Sequence, residues 1–250
     1  EIGADGRVRT LTEPAMWTSI ALSPDGGHIV ATRVERPFSF LVAWGSFPRR
    51  TVILDRATGE EVALLQEIPL REGGGGGFGG GGGEQNARRD VQWLPDGAGL
   101  SWIARAENGG GDRLVVAPNP ANLDEVITVA TSETSLQRVF YTADGRHALA
   151  NASQQGRSGV VYFDLTAAPG RVGADGSGSP ATGRVLLPLE AQEDPTQLRG
   201  TLHTERTASG IEVAVVSSDE RYTYISGPGF ADDFRPQPFV DRVALADGTL

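Results

Sequence analysis

Short runs in which apolar and polar residues alternate, broken by tight turns, recur along this chain of 250 residues. The first copy, TSIALSPDGGHIVATRVE, places two such runs on either side of Pro24-Asp25-Gly26. The second, RDVQWLPDGAGLSWIARAE, turns at Pro95-Asp96-Gly97, and the third, QRVFYTADGRHALANAS, at Asp144-Gly145. The fourth, VAVVSSDERYTYISG, turns at Asp219, where Glu220 stands in place of the glycine. Alternation with a period of two marks a half-buried strand. Proline presets φ, aspartate bonds to its own backbone and glycine accepts positive φ, so each copy predicts an antiparallel hairpin. More strand-like sequence follows every hairpin: RRTVILDRATGEEVALL, DRLVVAPNPANLDEVITVA, GVVYFDL with RVLLPL, and PFVDRVALADGTL. The unit is four short strands. No stretch has a helical period, and NLDE, residues 122–125, is the one candidate helical turn.

The interval from Asp96 to Asp144 approaches the roughly 40–50 residues of a four-stranded propeller blade. The flanking intervals are longer because they carry inserts. The expected fold is therefore all-β: a β-propeller of four-stranded antiparallel blades, about four of them present. Residues 1–250 read as one propeller domain or fragment, with blades at about 14–66, 88–131, 136–190 and 198–250, and 1–12 as the outer strand of a neighbouring blade. Two readings of the ends stand. Either the chain is part of a larger propeller, as a first residue Glu1 rather than Met also suggests, or the N-terminal strand completes the last blade of a four-bladed ring.

Between the first two blades runs REGGGGGFGGGGGEQNARRD. A phosphate-binding loop needs a Lys and a Ser or Thr straight after its glycines. Here Glu84 follows, and all 22 Lys+Arg residues are Arg. Residues 71–87 are instead expected as a flexible inter-blade loop. A formal net charge of −10 argues against nucleic acid or an anionic membrane as partner. No apolar run approaches a membrane span. The absence of cysteine excludes disulfides and thiolate chemistry. No cofactor or metal is expected.

Candidate chemistry is sparse. His28 and His147 share one repeat register, which is what a structural role predicts, and His203 sits in the alternating TLHTERT without a ligand partner at metal spacing. No G-x-S-x-G elbow occurs, GRSGV around Ser158 being the nearest string, so no catalytic residue is assigned. Asp232 and Asp233 lack a calcium-loop context. Asn151-Ala152-Ser153 matches the glycosylation sequon. The insert RPFSFLVAWGSFPRR carries Phe38, Phe40, Trp44 and Phe47, which either form a contact surface or cap their own blade. Arg49 and Arg50, with Arg88 and Arg89 one blade on, either meet an acidic peptide or neighbouring domain or are solvated or structurally paired.

LSPDGGHIVATR with RTVILDRATGEEV, and DVQWLPDGAGLSWI, resemble the N-terminal propeller of prolyl-oligopeptidase-type serine peptidases, in particular the bacterial branch similar to glutamyl endopeptidases. TolB-like propellers share these motifs. The peptidase resemblance implies a C-terminal α/β-hydrolase domain of the same polypeptide as partner, an oligopeptide as substrate, and a propeller that restricts entry and contributes peptide contacts. The Ser, Asp and His of that family belong to the hydrolase domain, so none carries over here. The paired glutamates of dipeptidyl-peptidase relatives have no counterpart: Glu60-Glu61 lies in a turn between strands. A periplasmic or secreted bacterial location follows from the same resemblance, with the cytoplasm left open. The TolB resemblance implies an interaction propeller without enzymatic activity.

Overall fold

A computed structural model of the chain describes residues 6–70, 88–107, 109–170, 178–191, 200–229, 235 and 237–250. The loop expected at 71–87, and Asp232 and Asp233, lie outside these residues. The chain divides into two compact units, Glu1–Arg88 with Asn119–Glu125, and Arg89–Pro118 with Val126–Leu250.

In the first unit, β1 (Met16–Leu22), β2 (His28–Val34), β3 (Arg49–Asp55) and β4 (Glu61–Ile68) pair in that order, each antiparallel to the next. Branched Ile29, Val30, Val52 and Ile53 suit the pleated backbone. Alternation sends Ile29, Ala31, Val52 and Leu54 to one face, where Leu11 and Trp17 pack on them. Val30 and Ile53 are buried on the other.

The second unit opens with β5 (Arg89–Trp93), β6 (Leu100–Arg105), β7 (Asp112–Ala117) and β8 (Ile127–Ser132), again paired in order. β9 (Ser135–Tyr141), β10 (His147–Gln154) and β11 (Arg157–Asp164) follow. A short β12 (Ala181–Thr182) then adds in parallel to β8, and β13 (Arg184–Glu190) closes the third sheet against β11. Leu94, Ile103, Leu114 and Val129 of the second sheet share one core with Leu136, Tyr141, Ala150 and Phe163 of the third. The chain is thus all-β, and its sheets are the up-and-down meanders of propeller blades.

Two expectations need correction. NLDE forms a turn, not helix: Asn122 Oδ1 accepts from the Asp124 N–H at 3.2 Å and so diverts the backbone from a helical path. The helical turn among the described residues is Trp44–Ser46, inside the aromatic insert. The fourth copy is also not a plain hairpin, and TLHTERT is not one strand. β14 (Thr201–Leu202) stops at His203, and the chain leaves the sheet as a separate hairpin, β15 (Thr204–Arg206) and β16 (Glu212–Ala214). Gly210, at φ 82°, closes that hairpin by donating to the Thr207 carbonyl at 2.9 Å. The chain then rejoins the sheet at Val216, which bridges Thr223. β17 (Tyr222–Gly227) pairs with β14 and with β18 (Phe239–Ala244).

The repeated turn is the same structure four times. Gly26, Gly97 and Gly145 have φ of 72°, 75° and 66°, and Glu220 takes 55° in the same register. Asp25, Asp96, Asp144 and Asp219 each accept from the backbone N–H two residues on, at 3.0, 3.1, 3.0 and 3.2 Å. Sequence reading missed a third component. Ser23, Thr142 and Ser217 donate to the turn aspartate and accept the first N–H of the next strand, from His28, His147 and Tyr222. The second copy has Leu94 there and lacks both bonds. The signal was a hydroxyl two residues before Asp in three of the four copies.

These bonds set a pH dependence. The Ser23 hydroxyl, then the Gly27 N–H, hold the Asp25 carboxyl below its ordinary value of 3.8. Ser217 does the same for Asp219. At Asp144 burial pushes the other way and is outweighed by the Thr142 hydroxyl and the Arg146 N–H. A carboxyl lowered in the folded state contributes stability that is complete above its unfolded value and lost as pH falls towards the folded one. The melting temperature should therefore fall between about pH 5 and pH 2. Replacing Asp25, Asp144 and Asp219 together by Asn should flatten that fall in a circular-dichroism melt series; an unchanged slope would show that the turns carry none of it.

Candidate functional site

The insert between β2 and β3 is anchored at its base, where the Glu35 N–H donates to the Pro48 carbonyl at 2.9 Å. Ser39 Oγ accepts from the Leu41 N–H at 3.1 Å, and the single turn Trp44–Ser46 is closed by Ser46 and Phe47 N–H groups on the Ala43 and Trp44 carbonyls. These local bonds shape a loop with little apolar burial. Phe40 is fully exposed, Trp44 is 64% exposed and Phe38 is 46% exposed. Phe38 and Phe47 meet with ring centroids 5.4 Å apart, so part of the cluster packs on itself. Beside it a groove of about 640 Å³ is lined by Glu13, Pro14, Trp17, Arg33, Arg36 and Phe38, among others.

The four expected arginines fall into different settings. Arg50 is hydrogen-bonded to Glu61, which together with the charge of that carboxylate raises its affinity for the proton. Arg88 is half-buried, its pKa lowered by burial, and Nη1 donates to the Leu65 carbonyl at 2.5 Å. Arg89 reaches Asp112 Oδ1 at 2.5 Å and the Leu136 carbonyl at 2.9 Å, tying β5 to β7 and β9. Arg49 has no carboxylate within 4.0 Å among the described residues, and its guanidinium lies 5.2 Å from the Trp44 ring centre. Of the expected residues, the structure brings Arg49 to Trp44 and Phe38 to Phe47, with Phe40 exposed on the same insert. Arg88 in the first unit and Arg89 in the second are each bonded to a backbone carbonyl of their own unit. Sequence reading missed Arg36, which lies 5.9 Å from the Phe38 ring centre, and Leu41, which is exposed.

A second polar cluster joins the third and fourth sheets. His147, 5% exposed, places Nδ1 2.9 Å from the Tyr162 hydroxyl and Nε2 3.5 Å from Glu220 Oε2. Burial, with Asp164 adding to it, pushes the Tyr162 phenol up to about 12. Arg146 also pairs with Glu220. Glu220 therefore does what a glycine there could not: it holds the neighbouring sheet. Ser158 and His203 both line a cavity of about 900 Å³ in this unit, yet share no hydrogen bond among the described residues. A nucleophile and its base must be within hydrogen-bond reach. Among the described residues no helix is long and apolar enough to cross a membrane, and no group of three His, Cys, Asp or Glu could hold a metal.

No family model matches the chain. Among curated proteins it is similar to a probable chloroplastic glutamyl endopeptidase of Oryza sativa subsp. japonica, 30% identical over 114 residues, or 46% of this chain and 12% of that one. A protein of the same description from Arabidopsis thaliana is 28% identical over 114 residues, 46% of this chain and 11% of that one. The chain thus spans only about an eighth of the length of the curated relatives it matches. Among solved structures it is similar to prolyl oligopeptidase B from Galerina marginata, with a TM-score of 0.48 and 13% identity over 98% of this chain and 29% of that one. It is also similar to TolB from Acinetobacter baumannii, with a TM-score of 0.41 and 15% identity over 99% of this chain and 46% of that one.

Proposed function

We propose that this chain is the non-catalytic propeller of an oligopeptide-cleaving serine peptidase, limiting entry to an α/β-hydrolase domain of the same polypeptide and contributing peptide contacts. The carrying observation is the similarity, over 114 residues, to two proteins described as probable glutamyl endopeptidases. The blade architecture is compatible with it. A bacterial source and a periplasmic or secreted location belong to the same proposal. The second reading, an interaction propeller of the TolB kind, is favoured by the exposed aromatic insert, which suits a protein contact as well as a substrate.

The gene separates the two. A G-x-S-x-G elbow encoded within a few hundred codons after Leu250, and peptide hydrolysis lost when its Ser is replaced by Ala, support the peptidase reading. A reading frame without the elbow sinks it. The chain of 250 residues alone should take no label from a fluorophosphonate probe. Labelling abolished by replacing one serine of this chain would overturn the non-catalytic assignment.

A further inference from the structure

We infer that the insert following β2 is a docking surface for an acidic, extended peptide segment, a reading that rests on the chain being a peptide-handling propeller. From Arg36 to Leu54 the sequence holds three arginines and no acidic residue, in a chain of net charge −10. Two of the nearby carboxylates are already engaged, and a third, Glu67, lies opposite Arg50 across the pairing of β3 with β4. Arg33 Nε bonds Glu35 at 2.8 Å, and Glu61 is shared by Arg50 and, at 3.9 Å, by Arg33. That leaves Arg36 and Arg49, which have no carboxylate within 4.0 Å among the described residues. Each lies over an aromatic ring, Phe38 at 5.9 Å and Trp44 at 5.2 Å. A guanidinium resting on a ring keeps edge N–H groups for a carboxylate while its stem and plane are held in place, although at Arg49 the Nε is buried and only the terminal nitrogens can serve. Fully exposed Phe40 and largely exposed Leu41 and Trp44, which fall between the two cations in sequence, supply apolar contact. Glu13, which also lines the groove, is a carboxylate that would repel an acidic ligand, so the acidic positions are assigned to Arg36 and Arg49.

The partner that fits alternates carboxylates with apolar side chains along an extended backbone. A fluorescein-labelled decapeptide alternating Glu and Leu, and its Gln-for-Glu counterpart, are to be titrated into the chain at 50 mM and 300 mM salt by anisotropy. The Glu peptide is expected to bind about tenfold more tightly than the Gln peptide at low salt, with the difference shrinking at high salt. Arg36→Gln should remove part of that preference and Arg36→Gln with Arg49→Gln should remove it. Arg49→Lys, which keeps the charge, should restore much of it in a chain whose melt confirms folding. Phe40→Ser with Trp44→Ser should weaken both peptides alike. Equal binding of the two peptides, or binding of neither, overturns the proposal. So does self-association in sedimentation that the Phe40 and Trp44 substitutions abolish, because a second copy would then be the occupant. A gene lacking the nucleophile elbow would remove the peptidase reading and leave this result standing.

Discussion

Arg89→Ala is expected to destabilise the chain by about 2–4 kcal/mol, more than any other single arginine replacement. Its partner Asp112 is wholly buried in β7. One carboxylate oxygen of Asp112 takes the Arg89 guanidinium at 2.5 Å, and the other accepts the Leu136 N–H at 2.7 Å. Removing Arg89 leaves this buried charge with Arg105, which is 3.6 Å away and half exposed. An uncompensated buried carboxylate costs about 3–5 kcal/mol, and the figure is reduced here because Arg89 is itself a third exposed. The same change strips the Leu136 carbonyl of a donor. Asp112→Leu alone should also destabilise, since Leu136 loses its acceptor. The double variant should be less unstable than the two losses added, because neither charge is then stranded. Urea unfolding of the four proteins measures this. A loss below about 0.5 kcal/mol for Arg89→Ala would show that the pair contributes little, and would return Arg89 to the list of contact candidates.

In sequence, Arg88-Arg89 is a pair of like charges just as Arg49-Arg50 is, and nothing local distinguishes them. What decides their roles is non-local: Asp112 is brought to Arg89 by the pairing of β5, β6 and β7, and Leu65 to Arg88 by the packing of the first unit. The hairpin turns were legible for the opposite reason. Asp25, Asp96, Asp144 and Asp219 each accept from the backbone N–H two residues on, so this turn chemistry is contained in the few residues that show it. The interruption of the fourth blade was not legible, because TLHTERT keeps a strand-like alternation across His203, where the chain changes partner from β17 to its own hairpin. Glu220 was visible as an exception to the glycine rule. Its reason, His147 and Arg146, lies on another sheet. The aromatic insert was legible as composition, and its two guanidiniums without a carboxylate partner among the described residues were not, since Glu35 and Glu61 had first to be assigned to Arg33 and Arg50.

The second turn offers the sharpest test of how far the repeat chemistry is local. Asp96→Asn should change stability by no more than about 0.5 kcal/mol, because an amide oxygen accepts the Ala98 N–H as the carboxylate does. Gly97→Ala should cost about 1 kcal/mol: φ is 75°, yet an added Cβ meets no atom within 4 Å, so only the backbone conformation is strained. Gly99→Ala, two residues on, should cost clearly more, about 3 kcal/mol or above. Its φ is 133°, and an added Cβ would fall 2.2 Å from the Ala117 carbonyl oxygen and 2.9 Å from Pro118 Cα. Those atoms are backbone of β7 and its exit, where Leu100 already pairs with Ala117, so they cannot turn aside as a side chain would. Relief would require separating β6 from β7 at the point where Leu100 and Val116 are fully buried. The sequence PDGAG presents the two glycines as equivalent turn residues, whereas the sheet makes one a matter of φ and the other a matter of space. Thermal and urea unfolding of the three variants should therefore rank Asp96→Asn, Gly97→Ala and Gly99→Ala in rising order of damage. If Gly97→Ala proved as harmful as Gly99→Ala, the loop tip would have to be packed against something, and the description of this turn as free at its apex would fail.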